Sequence, residues 1–311
     1  MLSIQPNFVS QERIVQIRGH NFVDPGFALL EPWLYVRMPL VKPGANWKEL
    51  KMLKTVTVTR YVTPLREGGS LPAIVEAADD GLYVLKFRGA GQGPKALIAE
   101  LVAGEIGRTL GLRVPEIIFM ELDAALGLNE MDPEIQSLIK ASAGLNLGLD
   151  FLPGSLAFDP AAAPEVDPDL ASEIVWFDAF VTNVDRTPRN TNMLVWHKNL
   201  WLIDHGAALY FQHTWSDYLN RSRTPFGPIK DHVLLPYASA LPAADARLRA
   251  LLTPAKLQAI LAGVPDEWLA PEPGFNGPDE MRDAFLTFLI TRLEASGIFV
   301  EEAVNARAKF L

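Results

Sequence analysis

The chain contains no cysteine. Disulfides, Cys-based zinc sites and thiol chemistry are excluded, and the composition suits a reducing compartment such as the cytoplasm. No uncharged apolar run approaches the roughly 18–20 residues of a membrane-spanning helix. The opening MLSIQPNFVSQERIVQIRGH lacks the basic-then-apolar order of a signal peptide. Positive charge is not in excess: 28 Lys and Arg stand against 37 Asp and Glu, a net charge of −9. A protein that tracks nucleic-acid phosphates needs a basic stripe, so that class is disfavoured. GxxxxGK[ST] is absent, which argues against a P-loop NTPase. The five histidines (20, 197, 205, 213 and 232) show no metal-ligating spacing. There is no internal repeat and no low-complexity tract.

What is present is the composition of an ordinary globular protein. Hydrophobic residues make up 49% and charged residues 21% of 311, enough for one large domain or two lobes around a cleft. Residues 1–51 are rich in aromatics, Pro and Gly without clear periodicity. They read either as an appendage, such as an upstream start-site extension, or as an ordinary N-terminal strand pair. Regular patterning begins near Met52.

From there the pattern predicts a strand at Thr55–Tyr61 and two more at Ala73–Ala77 and Leu82–Phe87. The last two are joined by the hairpin turn AspAspGly (79–81). Lys95–Leu110 carries apolar residues at helical spacing and stops at Gly111. A strand at Glu116–Leu122 follows. Beyond Asp123 helices dominate, at Pro133–Ala141, Asp169–Asn183, Ala243–Leu252, Pro254–Ala262 and Asp279–Ser296. Gly144–Gly154 and 264–278 read as loops. The fold class is α+β: a small β-rich lobe with one helix (52–123), then a larger helical lobe (124–311), joined near 122–125 so that a cleft would lie between them.

The most informative stretch is Val181–Gly206, VTNVDRTPRNTNMLVWHKNLWLIDHG. It reads as a loop feeding a two-strand hairpin whose second strand ends on Asp204. Phosphoryl transfer from a nucleotide needs a carboxylate to orient the acceptor, plus a carboxylate and an amide oxygen to hold Mg²⁺. Asp185 is the candidate catalytic group, accepting or orienting the acceptor hydroxyl's proton. Asp204, at a strand end beside Gly, is a candidate metal ligand. The amide stays open between Asn190, which has the kinase spacing from Asp185, and Asn192, which directly precedes the apolar strand. His205 takes the place of a packing residue. Upstream, Lys86 in TyrValLeuLysPhe is a candidate phosphate ligand that Glu100 of the following helix could hold in place, with Glu105 as a competitor. ArgGluGlyGlySer (66–70), including Gly68, Gly69 and Ser70, is the candidate phosphate-facing loop. Gly89–Gly93, ahead of a helix N-terminus, is an alternative anion cradle.

These strings resemble the HipA-like kinase family. The resemblance rests on ValGluAlaAlaAspAspGly (75–81), TyrValLeuLysPhe (83–87), GlyAlaGlyGlnGly (89–93) and GluLeuValAlaGlyGluIleGlyArgThrLeuGlyLeuArgValPro (100–115). AsnValAspArgThrProArgAsnThrAsn (183–192) and LeuIleAspHisGly (202–206) complete it, and these two are the most specific. The family places a glutamate at a set distance before a Leu-Gly-Leu-x-Val-Pro turn, as Glu100 stands before Gly111, which favours Glu100 over Glu105. The resemblance implies a bilobal protein-kinase-like fold, ATP and Mg²⁺ as cofactors, and a protein Ser/Thr hydroxyl as acceptor. The Asp-Arg loop also resembles that of phosphatidylinositol 4-kinases, which leaves lipid and small-molecule acceptors open. So does a non-catalytic kinase-fold regulator. Departures are Val184 where kinases carry His, Asp-His-Gly for Asp-Phe-Gly, Thr187 for the His of many HipA toxins, and no Ala-Pro-Glu. An antitoxin-like partner is not readable.

Overall fold

The computed structural model describes residues 12–16, 35–39, 53–65, 71–91, 93–128, 130–161 and 166–310. The chain forms two units, residues 1–49 and 50–311. The described part of the first is an antiparallel pair, β1 (Glu12–Gln16) and β2 (Tyr35–Pro39), with Glu12 opposite Pro39.

In the second unit, alternation builds the first strand. Val56 and Val58 of β3 (Thr55–Pro64) are buried while the intervening threonines are exposed. β4 (Ala73–Ala77) and β5 (Leu82–Lys86) form a hairpin. At its turn Asp80 is left-handed at φ 63°, and the Asp79 carboxylate accepts from the Gly81 amide at 3.2 Å and the Tyr83 hydroxyl at 2.8 Å. With β6 (Ile117–Leu122) and β7 (Gly144–Asp150) these strands close a barrel in the order β3-β4-β5-β7-β6, sealed by parallel pairing of β6 with β3. Val56, Val58, Val75, Leu85, Ile118 and Met120 belong to its core. Between β5 and β6 runs α1 (Pro94–Thr109), and between β6 and β7 runs α2 (Pro133–Ala141), which adds Ile135 and Ile139 to the same core.

β7 corrects the loop expected over 144–154, and the strand-rich part continues past the join expected at 122–125. Two glycines and an asparagine disguise the strand. Gly148 lies so close to β6 that a Cβ there would sit 2.5 Å from Met120 Sδ, the close backbone approach for which strand glycines are used. Asn146 is fully buried yet satisfied: it donates to the Ser142 and Gly144 carbonyls at 2.7 and 2.8 Å and accepts from the Arg88 amide at 2.7 Å.

The remainder is mainly helical. After the two-residue strand β8 (Leu156–Ala157), α3 (Pro168–Phe180) starts on Asp167, whose carboxylate caps the Asp169 amide. Every residue of α3 from Ile174 to Phe180 is buried, so it is the core helix of this half. β9 (Met193–Trp196) and β10 (Asn199–Leu202) pair across His197 and Lys198, both at positive φ as a tight hairpin turn requires. Five helices follow: α4 (Tyr218–Arg221), α5 (Leu241–Leu251), α6 (Pro254–Ala262), α7 (Pro278–Glu294) and α8 (Ser296–Arg307). α8 was not expected: the chain breaks at Ala295, and Gly297 lies inside the first turn of a new helix rather than ending the structure there.

The loop expected at 264–278 contains a short 3-10 turn at Asp266–Trp268 that reaches the barrel. Trp268 is buried edge-on against Phe119 at 5.5 Å, and its indole N–H donates to the Leu145 carbonyl at 3.4 Å. Glu267 pairs with Arg88 at 2.8 Å, and Glu272 pairs with Lys95. From the other side, Arg282 of α7 holds the loop through Asp266 and the Val264 carbonyl.

Candidate active site

Lys86 ends a barrel strand whose neighbours Leu85 and Phe87 point into the core, so its side chain leaves on the opposite face. Its ammonium meets Asp204 Oδ1 at 2.8 Å and Glu100 Oε2 at 3.5 Å. Glu105, the competing partner, pairs with Arg108 instead. Burial alone would lower the Lys86 pKa, but Glu100 and then Asp204 outweigh it and raise it to about 12. For Glu100 burial pushes upward, and Lys86 with His205 overcomes it, bringing the carboxyl down to about 2.

His205 is a site residue that the sequence reading passed over as packing. It is fully buried; its amide donates to Glu100 Oε2 at 3.0 Å and its ring Nδ1 lies 3.2 Å from Oε1. The residue after Asp204 thus grips the glutamate that holds Lys86. The ring rests edge-on against Phe177 at 5.7 Å.

Asp185 lies in the loop after α3. Asn190 donates to Asp185 Oδ2 at 2.8 Å, and Asn192 approaches the same oxygen at 3.4 Å. Burial raises the Asp185 pKa; the Asn192 bond opposes it, and the Asp204 charge adds to the rise. The two asparagines differ in support. Asn190 is exposed in the turn bridged to Thr187, whereas Asn192 is buried and its carbonyl accepts from Arg186 and, at 3.0 Å, from the Ile203 amide. β10 ends at Leu202 rather than on Asp204 as expected, and Asn192 is thereby held beside the two residues past the strand that lead to and include Asp204. Thr182, Asn192, Asp204 and Leu209 all have left-handed backbone, φ 48–56°. For Thr and Leu this conformation is costly, and such strain collects where a site must hold one geometry.

Behind Asp185 is a buried polar network that the sequence reading also missed. Asp178, fully buried on α3, accepts from Arg186 Nε at 2.5 Å, Asn183 Nδ2 at 2.8 Å and His232 Nε2 at 2.9 Å. His232 Nδ1 accepts from the Leu234 amide, so Nε2 carries the proton given to Asp178. Burial would raise the Asp178 pKa, but Arg186 and His232 hold it well below the ordinary carboxylate range. Its one visible signal was an aspartate inside the otherwise apolar run Ile174–Phe180.

Gly68, Gly69 and Ser70 connect β3 to β4 and lie outside the described residues. The alternative cradle at 89–93 has its amides largely spent: Gly89 donates to Ser142 Oγ, Ala90 to Phe87, and Gly93 to Ala90. The Gly89 position is explained by packing, since a Cβ there would meet Ala141 and Ser142 at 2.9 Å.

Among the described residues no cluster of three or more His, Asp or Glu could hold a metal unaided. A nucleotide-bound Mg²⁺ needs fewer protein ligands, because it is a hard ion that keeps water and phosphate oxygens. The half-exposed Asp204 carboxylate and an asparagine amide oxygen are donors of that kind. No helix among the described residues is long and apolar enough to cross a membrane.

A barrel lysine tied to a helix glutamate, facing an Asp-Asn loop and a strand-end aspartate across a strand-rich and a helical part, places this chain among the kinase-like phosphotransferases. The comparisons narrow the class. A family model described as HipA-like kinase matches residues 58–297, and the chain belongs to that family. Among solved structures, the Helicobacter pylori proinflammatory kinase CtkA aligns with a TM-score of 0.51 at 14% identity. That alignment spans 82% of this chain and 99% of that one, a likeness of fold. The Golgi casein kinase with Mn/ADP bound aligns at 0.44 and 12% identity, over 81% of this chain and 73% of that one. No curated protein matches the chain.

Proposed function

We propose that the protein is an ATP-dependent phosphotransferase whose acceptor is a serine or threonine hydroxyl of a protein. The observation that carries this reading is the Lys86 contact. One ammonium meets Asp204 at 2.8 Å and Glu100 at 3.5 Å, bringing a strand, a helix and a loop distant in sequence to one point. Phosphoryl transfer asks the protein for positioning and charge stabilisation more than for covalent chemistry. In this reading Lys86, aimed by Glu100, meets the nucleotide phosphates. Asp204 and Asn192 hold magnesium, supported by the backbone bond that sets Asn192 beside residues 203–204. Magnesium, when bound, neutralises phosphate charge. Asn190 braces Asp185, which orients the acceptor hydroxyl and takes its proton. Burial makes Asp185 a stronger base than an exposed aspartate, which suits that task.

The test compares wild type, Asp185→Asn and Asp204→Ala with [γ-³²P]ATP and Mg²⁺. Loss of the base is expected to slow transfer by about 10²–10⁴-fold, and Asp204→Ala to lose nucleotide-dependent thermal stabilisation as well. Equal transfer or ATP hydrolysis in all three would overturn the reading. Stabilisation by nucleotide with no turnover in any of them would make the protein a binding module instead.

A further inference from the structure

The segment downstream of Asp204 and the first turns of α7 enclose a cleft of about 450 Å³. Trp215, Tyr218 and Phe275 line it together with Glu280 and Asp283. The rings stand edge to face: Phe275 is 4.8 Å from Trp215 at 69°, and Tyr218 is 5.8 Å away at 82°. Rings set at steep angles around one space offer π density from more than one direction, and π density attracts cations.

The carboxylates add a second reason. Glu280 Oε2 accepts from the backbone and side-chain amides of Asn276 at 2.6 and 2.8 Å, which closes the start of α7. The helix dipole accounts for Asp279 and Glu280 in the first turn, but not for the aromatic lining or for Asp283 further along. The Asp283 and Glu280 side chains are exposed, and among the described residues the Asp283 carboxylate has no hydrogen-bond or ion-pair partner within the protein. No Lys or Arg lines the cleft. Neighbouring cations are engaged elsewhere: Arg282 by Asp279 and Asp266, and Arg221 by the Thr214 carbonyl. Burial, then Asp279 and Glu280, raise the Asp283 pKa, and burial, then Glu280 and Asp283, raise that of Tyr218. Burial leads both shifts, and the neighbouring carboxylates add to them.

The position matters as much as the chemistry. Trp215 and Tyr218 belong to the segment that leaves Asp204, Phe275 to the loop before α7, and the first of these is pinned. Phe211 stacks on Phe288 at 3.7 Å, and Gln212 exchanges side-chain and backbone bonds with Lys95 at 3.0 and 3.1 Å.

We propose that this cleft receives an arginine side chain of the polypeptide acceptor and so selects acceptors with a basic residue near the phosphorylated hydroxyl. A planar guanidinium stacks on aromatic faces and forks onto carboxylates, which a lysine ammonium cannot do as well. The proposal rests on the protein-acceptor reading above.

The experiment uses the full chain and serine-centred degenerate peptide mixtures with one position fixed as arginine or as citrulline, which keeps the shape and removes the charge. Binding is read by fluorescence polarisation, and ³²P transfer is read separately. Arginine is expected to bind about tenfold more tightly than citrulline at one or two positions, with the preference reduced several-fold in Asp283→Asn and Phe275→Leu. Arginine preference without phosphoryl transfer would uphold the cleft and overturn the kinase reading. Transfer with equal affinity for the two peptides, or with neither binding, would overturn the cleft and leave the kinase reading standing. A preference undiminished in both variants would also overturn it.

Discussion

Taking an ammonium out of water destabilises a fold unless carboxylates meet it, and Lys86 is met by two. The resulting pH dependence has a definite sign. Glu100 falls from an ordinary 4.5 to about 2 on folding, so its stabilisation is fully present above about 4.5 and is lost as pH falls toward 2. Lys86 rises from 10.5 to about 12, so its share is fully present below 10.5 and is lost as pH climbs toward 12. Denaturant titrations of wild type and Glu100→Gln should differ by a few kcal/mol near neutrality. That gap should narrow as pH drops from about 5 to about 2.5. A gap independent of pH would mean that the Glu100 charge is not what stabilises this contact. Asp185, Asp204 and Lys86 could be nominated from short strings, because each sits in a locally distinctive sequence. His205 could not, since its partner Glu100 lies 105 residues away.

At the scale of elements, α3 and the loop it delivers act as one piece. Asp178 in the last turns of α3 ties Asn183 and Arg186 to the helix, and Arg186 reaches on to the Asn192 carbonyl. His232 closes the network from the downstream chain. Asp178→Ala would leave a buried guanidinium without its carboxylate and should cost about 3–5 kcal/mol in denaturant-measured stability. The double variant Asp178→Ala/Arg186→Met should recover part of that loss. If the single and double variants were equally stable, the pair would have no role in holding the loop. Most strands and helices were legible because apolar periodicity is a local property. β7 was not, because its glycines and buried asparagine obey the close approach of β6 and the Arg88 amide rather than any pattern of their own.

Across the whole second unit, the barrel and the helices are joined through α1 and the 264–272 loop. Trp268 inserts beside Phe119, Glu267 meets Arg88, and Glu272 meets Lys95 at the start of α1. This joint lies far in sequence from the candidate site residues 185–205, so a variant here tests how the halves are coupled. Trp268→Ala should lower stability by about 3–5 kcal/mol. It should also broaden thermal unfolding as barrel and helices cease to melt together; a single sharp transition with unchanged midpoint would show the joint to be dispensable. Composition and pattern sufficed to determine the α+β class, the strand-rich start and helical remainder, and the residue types needed for phosphoryl transfer. These follow from local periodicity and from side-chain chemistry. Which asparagine is held beside Asp204, that 144–150 completes the barrel, that His205 grips Glu100, and that an aromatic and acidic cleft lies downstream were decided only by tertiary packing. Each of these depends on groups that share no stretch of chain and meet only when the fold closes.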